Sequence, residues 1–210
     1  HTPFGHAGEE VLSSCMKKYG GFDHNIQTLR IVTFIENKYY DFKGLNLTIE
    51  TLDGLFKHNG PIKKINLYKK ILKKDLFIKK IVFNQFPSLE AQVAAISDDI
   101  AYNNHDLEDG LRAGLFTIEE FSTIPYISKI ISKHIKNLNN YRKEIIINQI
   151  VRELINIMVI DVINTTNENL KKINPQSIDD IYKQDHLIVD FSKKMKKIDQ
   201  LVQMRRRYKS

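Results

Sequence analysis

Apolar residues in this chain recur at spacings of three and four almost from end to end, and period-two alternation is nearly absent. That spacing gathers apolar side chains on one face of an α-helix, so the chain is predicted to be all-α. A loop with Pro3 and Gly5 precedes a helix over Glu9–Tyr19, and Gly20-Gly21 breaks the pattern before a second helix over Asn25–Tyr39. Gly44–Asn46 turns into a short helix over Thr48–Lys57, ended by His58-Asn59-Gly60-Pro61. The lysine-rich stretch Asn66–Phe83 fits a helix, or a helix plus an extended piece. Ser88 is a good N-cap and Glu90 suits the first-turn dipole of a helix reaching about Asn103. Leu107–Ala113 reads as a separate segment, and Thr117-x-x-Glu120 is a capping box. Further helices are predicted over Thr123–Leu138, Tyr141–Asn164 and Ser177–Gln184, joined by Asn139-Asn140 and Thr165–Pro175. Ser192–Arg207 closes the chain as an amphipathic helix.

At 210 residues, 42% hydrophobic and 27% charged, the chain can bury a core and has the composition of a water-soluble domain. A membrane span is not predicted: the apolar run Glu144–Ile160 is interrupted by Asn148, Arg152, Glu153 and Asn156. His1–Gly8 lacks the basic region and apolar block of a signal peptide, and a single cysteine excludes an internal disulfide framework, so a cytoplasmic location is expected. Cys15, among Val11, Leu12 and Met16, is expected in the core. The formal charge of +7 admits a polyanionic partner. Lysines recur in pairs (Lys63-Lys64, Lys69-Lys70, Lys73-Lys74, Lys79-Lys80), which reads more simply as solvated helix faces, and Arg205-Arg206-Arg207 stands at the chain end. The first residue is His1 rather than Met, which suggests a processed chain or a fragment.

Three clusters carry candidate chemistry. In His1-x-x-x-x-His6-x-x-Glu9, the carboxylate stands three residues beyond an imidazole. Such a partner fixes the histidine tautomer and suits it to proton transfer, although a first-turn dipole role explains an isolated pair equally well. Asp98, Tyr102 and Asp106 follow at steps of four, within one broad helix face that His105 and Asp109 extend. Carboxylates emerging from the apolar stretch Ala91–Ile96 are costly unless paired, hydrogen-bonded or on a metal; a helix leaving the core at Asp98 accounts for them as well. The third is His24 between Asp23 and Asn25, where Asp23 as an N-cap would make His24 incidental.

Taken in order, His1-Thr-Pro-Phe-Gly-His6-Ala-Gly-Glu9, Gly21-Phe-Asp-His24-Asn, Gly44-Leu-Asn-Leu-Thr48, Lys57-His-Asn-Gly-Pro61, Ser88-Leu-Glu-Ala-Gln-Val and Asp98-Asp-Ile-Ala-Tyr102-Asn-Asn-His-Asp106-Leu-Glu-Asp-Gly110 resemble the dGTP triphosphohydrolase-like branch of the HD superfamily. The likeness covers residues 1–116 and loosens beyond. It implies an HD-domain helical bundle, with residues 1–116 the C-terminal part of a phosphohydrolase core and 117–210 a helical C-terminal lobe. The implied activity is hydrolysis of deoxynucleoside triphosphates, dGTP-like, to the deoxynucleoside and inorganic triphosphate, with a divalent metal (Mg²⁺ or Mn²⁺). By the same resemblance Asp98 is a metal ligand, His6 the acid that protonates the leaving oxygen, and Glu9 its partner. His24 and His1 are further active-site histidines, Tyr102 and Asp106 hold the deoxyribose, and Lys57 contacts the triphosphate. Family members carry an earlier histidine and a His-Asp pair ahead of the position of His1; this chain lacks all three, so the polypeptide alone is expected to be inactive. A homo-oligomer and a nucleic-acid or nucleotide effector are further implied partners. The competing reading is a non-catalytic HD-like module for nucleotide binding or assembly.

Overall fold

The computed structural model describes residues 5–62, 80–122, 124, 127–136 and 140–198. All regular structure among them is helical, as the periodicity requires. Helix α1 spans Gly5–Cys15 and ends in a 3₁₀ turn, Lys17–Tyr19. It is followed by α2 (His24–Arg30), α3 (Ile49–Phe56), α4 (Leu89–Arg112), α5 (Ile118–Phe121), α6 (Ile127–Ile135), α7 (Lys143–Ile173) and α8 (Ile178–Tyr182). Residues 193–198 form one more helical stretch. Residues 63–79, with most of the paired lysines, and everything from 199 onward lie outside the described residues.

The helix starts follow local chemistry. Asp23, in extended conformation, accepts the Ile26 N–H at 3.0 Å, and Thr48 Oγ1 accepts the Thr51 N–H at 3.3 Å. Ser88 Oγ accepts the Ala91 N–H at 3.3 Å, while Thr117–Glu120 and Ser177–Asp180 each close a capping box.

Several boundaries differ from the sequence expectation. α1 begins at Gly5, one turn before Glu9. The second helix is regular only to Arg30 and continues as a π-helical turn, Ile31–Ile35, rather than reaching Tyr39. The reason is a returning loop: Leu45 N–H donates to Val32 O at 2.7 Å and Gly44 N–H to Glu36 O at 3.0 Å, so these carbonyls serve the loop. Gly44 is required there, because its φ is 68° and a Cβ would lie 2.4 Å from backbone atoms of Val32 and Thr33. The break expected after Asn103 is absent, and α4 is one helix of 24 residues. Asn104 is buried, its amide donating to Ile100 O (2.8 Å) and Met158 Sδ (3.1 Å), which offsets its poor helix propensity. Likewise α7 runs through Thr165 to Ile173, with Asn169 donating to Ile188 O, and stops at left-handed Asn174 before Pro175. Cys15 is exposed, not in the core, as are its neighbours Val11, Leu12 and Met16.

The chain divides into two compact units, one of residues His1–Gln92 with Ser177–His186, the other of Val93–Gln176 with Leu187–Ser210; the division falls inside α4. The first unit is built on Ile26, Leu29, Leu52, Phe56, Ile62 and Ile81. Here α3 meets the first turn of α4 at Gly54, where an added Cβ would stand 2.8 Å from that of Ala91. The second unit buries one face of α4 (Ile100, Leu107, Leu111) with α6 and α7, the latter through Ile146, Ile147, Ile150 and Leu154. Asp161 on α7 accepts from the N–H and hydroxyl of Ser192 at 2.8 and 2.7 Å, and Ser192 in turn accepts the Met195 N–H, so the stretch 193–198 is capped by a residue tied to α7.

Candidate active site

In the first unit, the break at Gly20-Gly21 turns the chain back along α1. Both glycines have positive φ (107° and 83°). Asp23 is extended, and α2 then begins at His24 under the Asp23 cap. Glu9, on α1, reaches this point with one oxygen: its Oε1 accepts the His24 backbone N–H at 3.0 Å and lies 2.8 Å from His24 Nδ1. A carboxylate only accepts, so the proton of that contact sits on Nδ1. Neutral His24 is thereby held with Nε2 as its proton-accepting nitrogen. Asp23 does cap α2, as one reading of the sequence had it, but His24 is not incidental to that cap. Spacing had paired Glu9 with His6; His6 stands in the first turn of α1 with its side chain outside the described atoms, and His1 lies outside the described residues.

Lys57 closes α3 and is buried, with 2% of its side chain exposed. Its ammonium lies 2.7 Å from Asp53 Oδ1, one helical turn earlier. Burial pushes the Asp53 carboxyl above its ordinary range, and the hydrogen bond and charge of Lys57 pull it part of the way back. Tyr182 on α8 belongs to the same environment: burial raises its phenol, and the charges of Asp53, Glu50, Glu90 and Asp179 add to the rise. Lys57 thus spends one of its three N–H donors on Asp53. The sequence reading missed Asp53, although its four-residue spacing from Lys57 was visible as an ion-pair signal.

In the second unit, the continuity of α4 places Asp98, Tyr102 and Asp106 on one face over about 12 Å, each step advancing about 40°. Ile100, Asn104, Leu107 and Leu111 are the buried face of this helix, and the stripe lies on the opposite side. Asp98 and Tyr102 are exposed and Asp106 is half-buried. An exposed carboxylate, a phenol and a second carboxylate in line can accept from hydroxyl groups and pack against a ring. His105, on the edge of this face, stands 3.8 Å from Glu108, whose carboxylate also binds Arg112 at 2.8 Å. Among the described residues no group of three or more His, Cys, Asp or Glu converges as metal ligands. Asp98 by itself offers too few oxygens to hold a divalent ion tightly, so the described residues alone do not make a metal site.

No family model matches the chain. Deoxyguanosinetriphosphate triphosphohydrolase-like proteins match it closely: that of Pelagibacter ubique is 51% identical over 96% of this chain, that of Agrobacterium fabrum 43% over 96%, and that of Caulobacter sp. 46% over 93%. The chain covers 54%, 51% and 50% of these proteins, so it spans about half the length of the curated relatives it matches.

Proposed function

We propose that these residues, which match deoxyguanosinetriphosphate triphosphohydrolase-like proteins over nearly their whole length, form part of an enzyme hydrolysing deoxynucleoside triphosphates to the deoxynucleoside and inorganic triphosphate. The observation that carries this reading is the grip of Glu9 on His24, a preset imidazole in the very motif that prompted the resemblance. In the proposed reaction a water oxygen bonds to the α-phosphorus and the bond from that phosphorus to the 5′-oxygen breaks. The water loses a proton and the 5′-oxygen gains one, so two proton-transfer groups are needed. His6 serves as the acid at the leaving oxygen. Glu9 keeps His24 in the tautomer whose Nε2 accepts a proton or hydrogen bond beside the phosphates, and His1 is assigned as a further active-site histidine on the motif alone.

The α4 stripe takes the sugar: Asp106 accepts from the 3′-hydroxyl, and Tyr102 fills the space a 2′-hydroxyl would need. Lys57, paired with Asp53, is the proposed triphosphate contact. Metal dependence belongs to the same proposal, with Asp98 as the one ligand assigned in this chain and Mg²⁺ or Mn²⁺ as the ion. A homo-oligomer and a nucleotide or nucleic-acid effector complete it.

The test is a chimera in which these 210 residues replace their counterpart in the 51%-identical relative, assayed beside that relative with each dNTP and Mg²⁺ or Mn²⁺. Deoxynucleoside and triphosphate in equal amounts are expected. Monophosphate with pyrophosphate would place the attack at another bond and refute the reading. Binding of dNTP without turnover, while the relative turns over, would favour the module for binding or assembly.

A further inference from the structure

The run that delivers His24 is tied at three points to α1 and the residue that follows it. Gly21 N–H donates to Met16 O at 3.0 Å, Phe22 N–H to Ser13 Oγ at 3.3 Å, and His24 N–H to Glu9 Oε1 at 3.0 Å. The acceptors 13 and 9 lie one turn apart on a face of α1, and Met16 stands three residues beyond, just past the helix end. The spacings agree. Ser13 and Glu9 are about 6 Å apart along the helix axis, and Phe22 and His24 about 6.6 Å apart in extended chain, which Asp23 adopts at φ −146° and ψ 123°. A third observation concerns Gly21, where a Cβ would stand 3.4 Å from Ser13 Oγ. The loop thus rests directly on this serine.

We propose that Ser13 is a positioning residue for His24. Its hydroxyl accepts the Phe22 N–H and holds the extended run at the height where Glu9 meets both the N–H and Nδ1 of His24. Glu9 holds the His24 end of the run and Met16 its Gly21 end; Ser13 anchors the middle, so the backbone cannot bow away from α1 and carry the ring with it. Residue 13 is accordingly restricted to a small side chain with a hydroxyl acceptor. The role in turnover rests on the proposed phosphohydrolase reading, but the positioning itself does not.

The test uses the ¹⁵N-labelled 210-residue chain, with the His24 signals assigned by His24→Gln. Long-range ¹H–¹⁵N spectra report the His24 tautomer, and amide exchange reports the Phe22 N–H. Ser13→Ala is expected to speed Phe22 exchange about tenfold, the usual worth of one such hydrogen bond, and to move His24 from the Nδ1–H form toward Nε2–H. Ser13→Thr restores both. A general structural effect would not select the tautomer of one ring or be rescued by a hydroxyl. If Ser13→Ala does not fold, Ser13→Cys, nearly the same size but a weaker acceptor, is expected to give an intermediate shift. An unchanged His24 tautomer in the folded variant, Ala or Cys, overturns the proposal, as does failure of Ser13→Thr to restore it. In the chimera, Ser13→Ala is expected to lower kcat with little change in KM. A wholly inactive chimera with the tautomer shift intact would sink the phosphohydrolase reading and leave the positioning role standing.

Discussion

Replacing Lys57 by Met tests whether its ammonium holds a buried carboxylate in place. In the folded chain Lys57 is 2% exposed and its ammonium lies 2.7 Å from Asp53, which is itself only 10% exposed. Methionine keeps most of the buried volume but removes the partner of a buried carboxylate. Breaking such a pair from one side costs about 3–5 kcal/mol, whereas replacing both partners by apolar residues is often neutral. Asp53→Leu with Lys57→Met should therefore recover most of what Lys57→Met loses. The pH dependence follows from the raised Asp53 carboxyl, which favours its protonated form in the folded state. Stability held below the ordinary carboxylate value of 3.8 is lost as pH rises through the higher folded value. Without Lys57 nothing opposes burial, the folded value climbs further, and the loss grows. The cost of Lys57→Met is thus greatest at neutral pH and shrinks on acidification, toward the roughly 1 kcal/mol of a lost hydrogen bond. Urea unfolding followed by circular dichroism at pH 7 and pH 4.5 measures both. A cost below 1 kcal/mol at pH 7, or one that stays constant with pH, would refute the buried-pair reasoning.

Other expectations follow from single contacts. Gly110→Ala places a Cβ 1.9 Å from the Phe116 ring, so overpacking of about 1–3 kcal/mol should outweigh the gain in helix propensity and lower the melting temperature; a rise would contradict the packing. Lys133 foremost, then His134, holds the Glu153 carboxyl below its usual range. That contribution is present above the ordinary value and lost as pH falls through the lowered one, so Glu153→Gln should flatten the acid side of the stability profile while costing under about 1 kcal/mol at pH 7. An acid limb identical to that of the parent would remove this pair from the account. In the chimera, Asp98→Ala is expected to abolish metal-stimulated turnover and Asp106→Asn to raise KM for the deoxynucleotide; unchanged kinetics in either would take that residue out of the site.

What could be read from residue order was local. The caps at Asp23, Ser88 and Thr117 were legible because each partner stands three positions away, and the helical period alone sufficed to predict an all-α chain. The motifs carried the kinship with the triphosphohydrolase-like proteins before any contact was known. Tertiary structure decided whatever depends on a distant partner. Asn104 stays helical because Met158, 54 residues on, receives its amide, and a sequence rule can only see a helix breaker. Cys15 and its apolar neighbours have the composition of a core but face outward, since composition does not say what packs against a helix. Glu9 shows the division most plainly: spacing could show only its nearness to His6, three residues away, and the turn at Gly20-Gly21 adds His24, fifteen residues on, and with it the tautomer of that ring. Hydrogen-bond partners are chosen by distance in space, and the sequence records only distance along the chain.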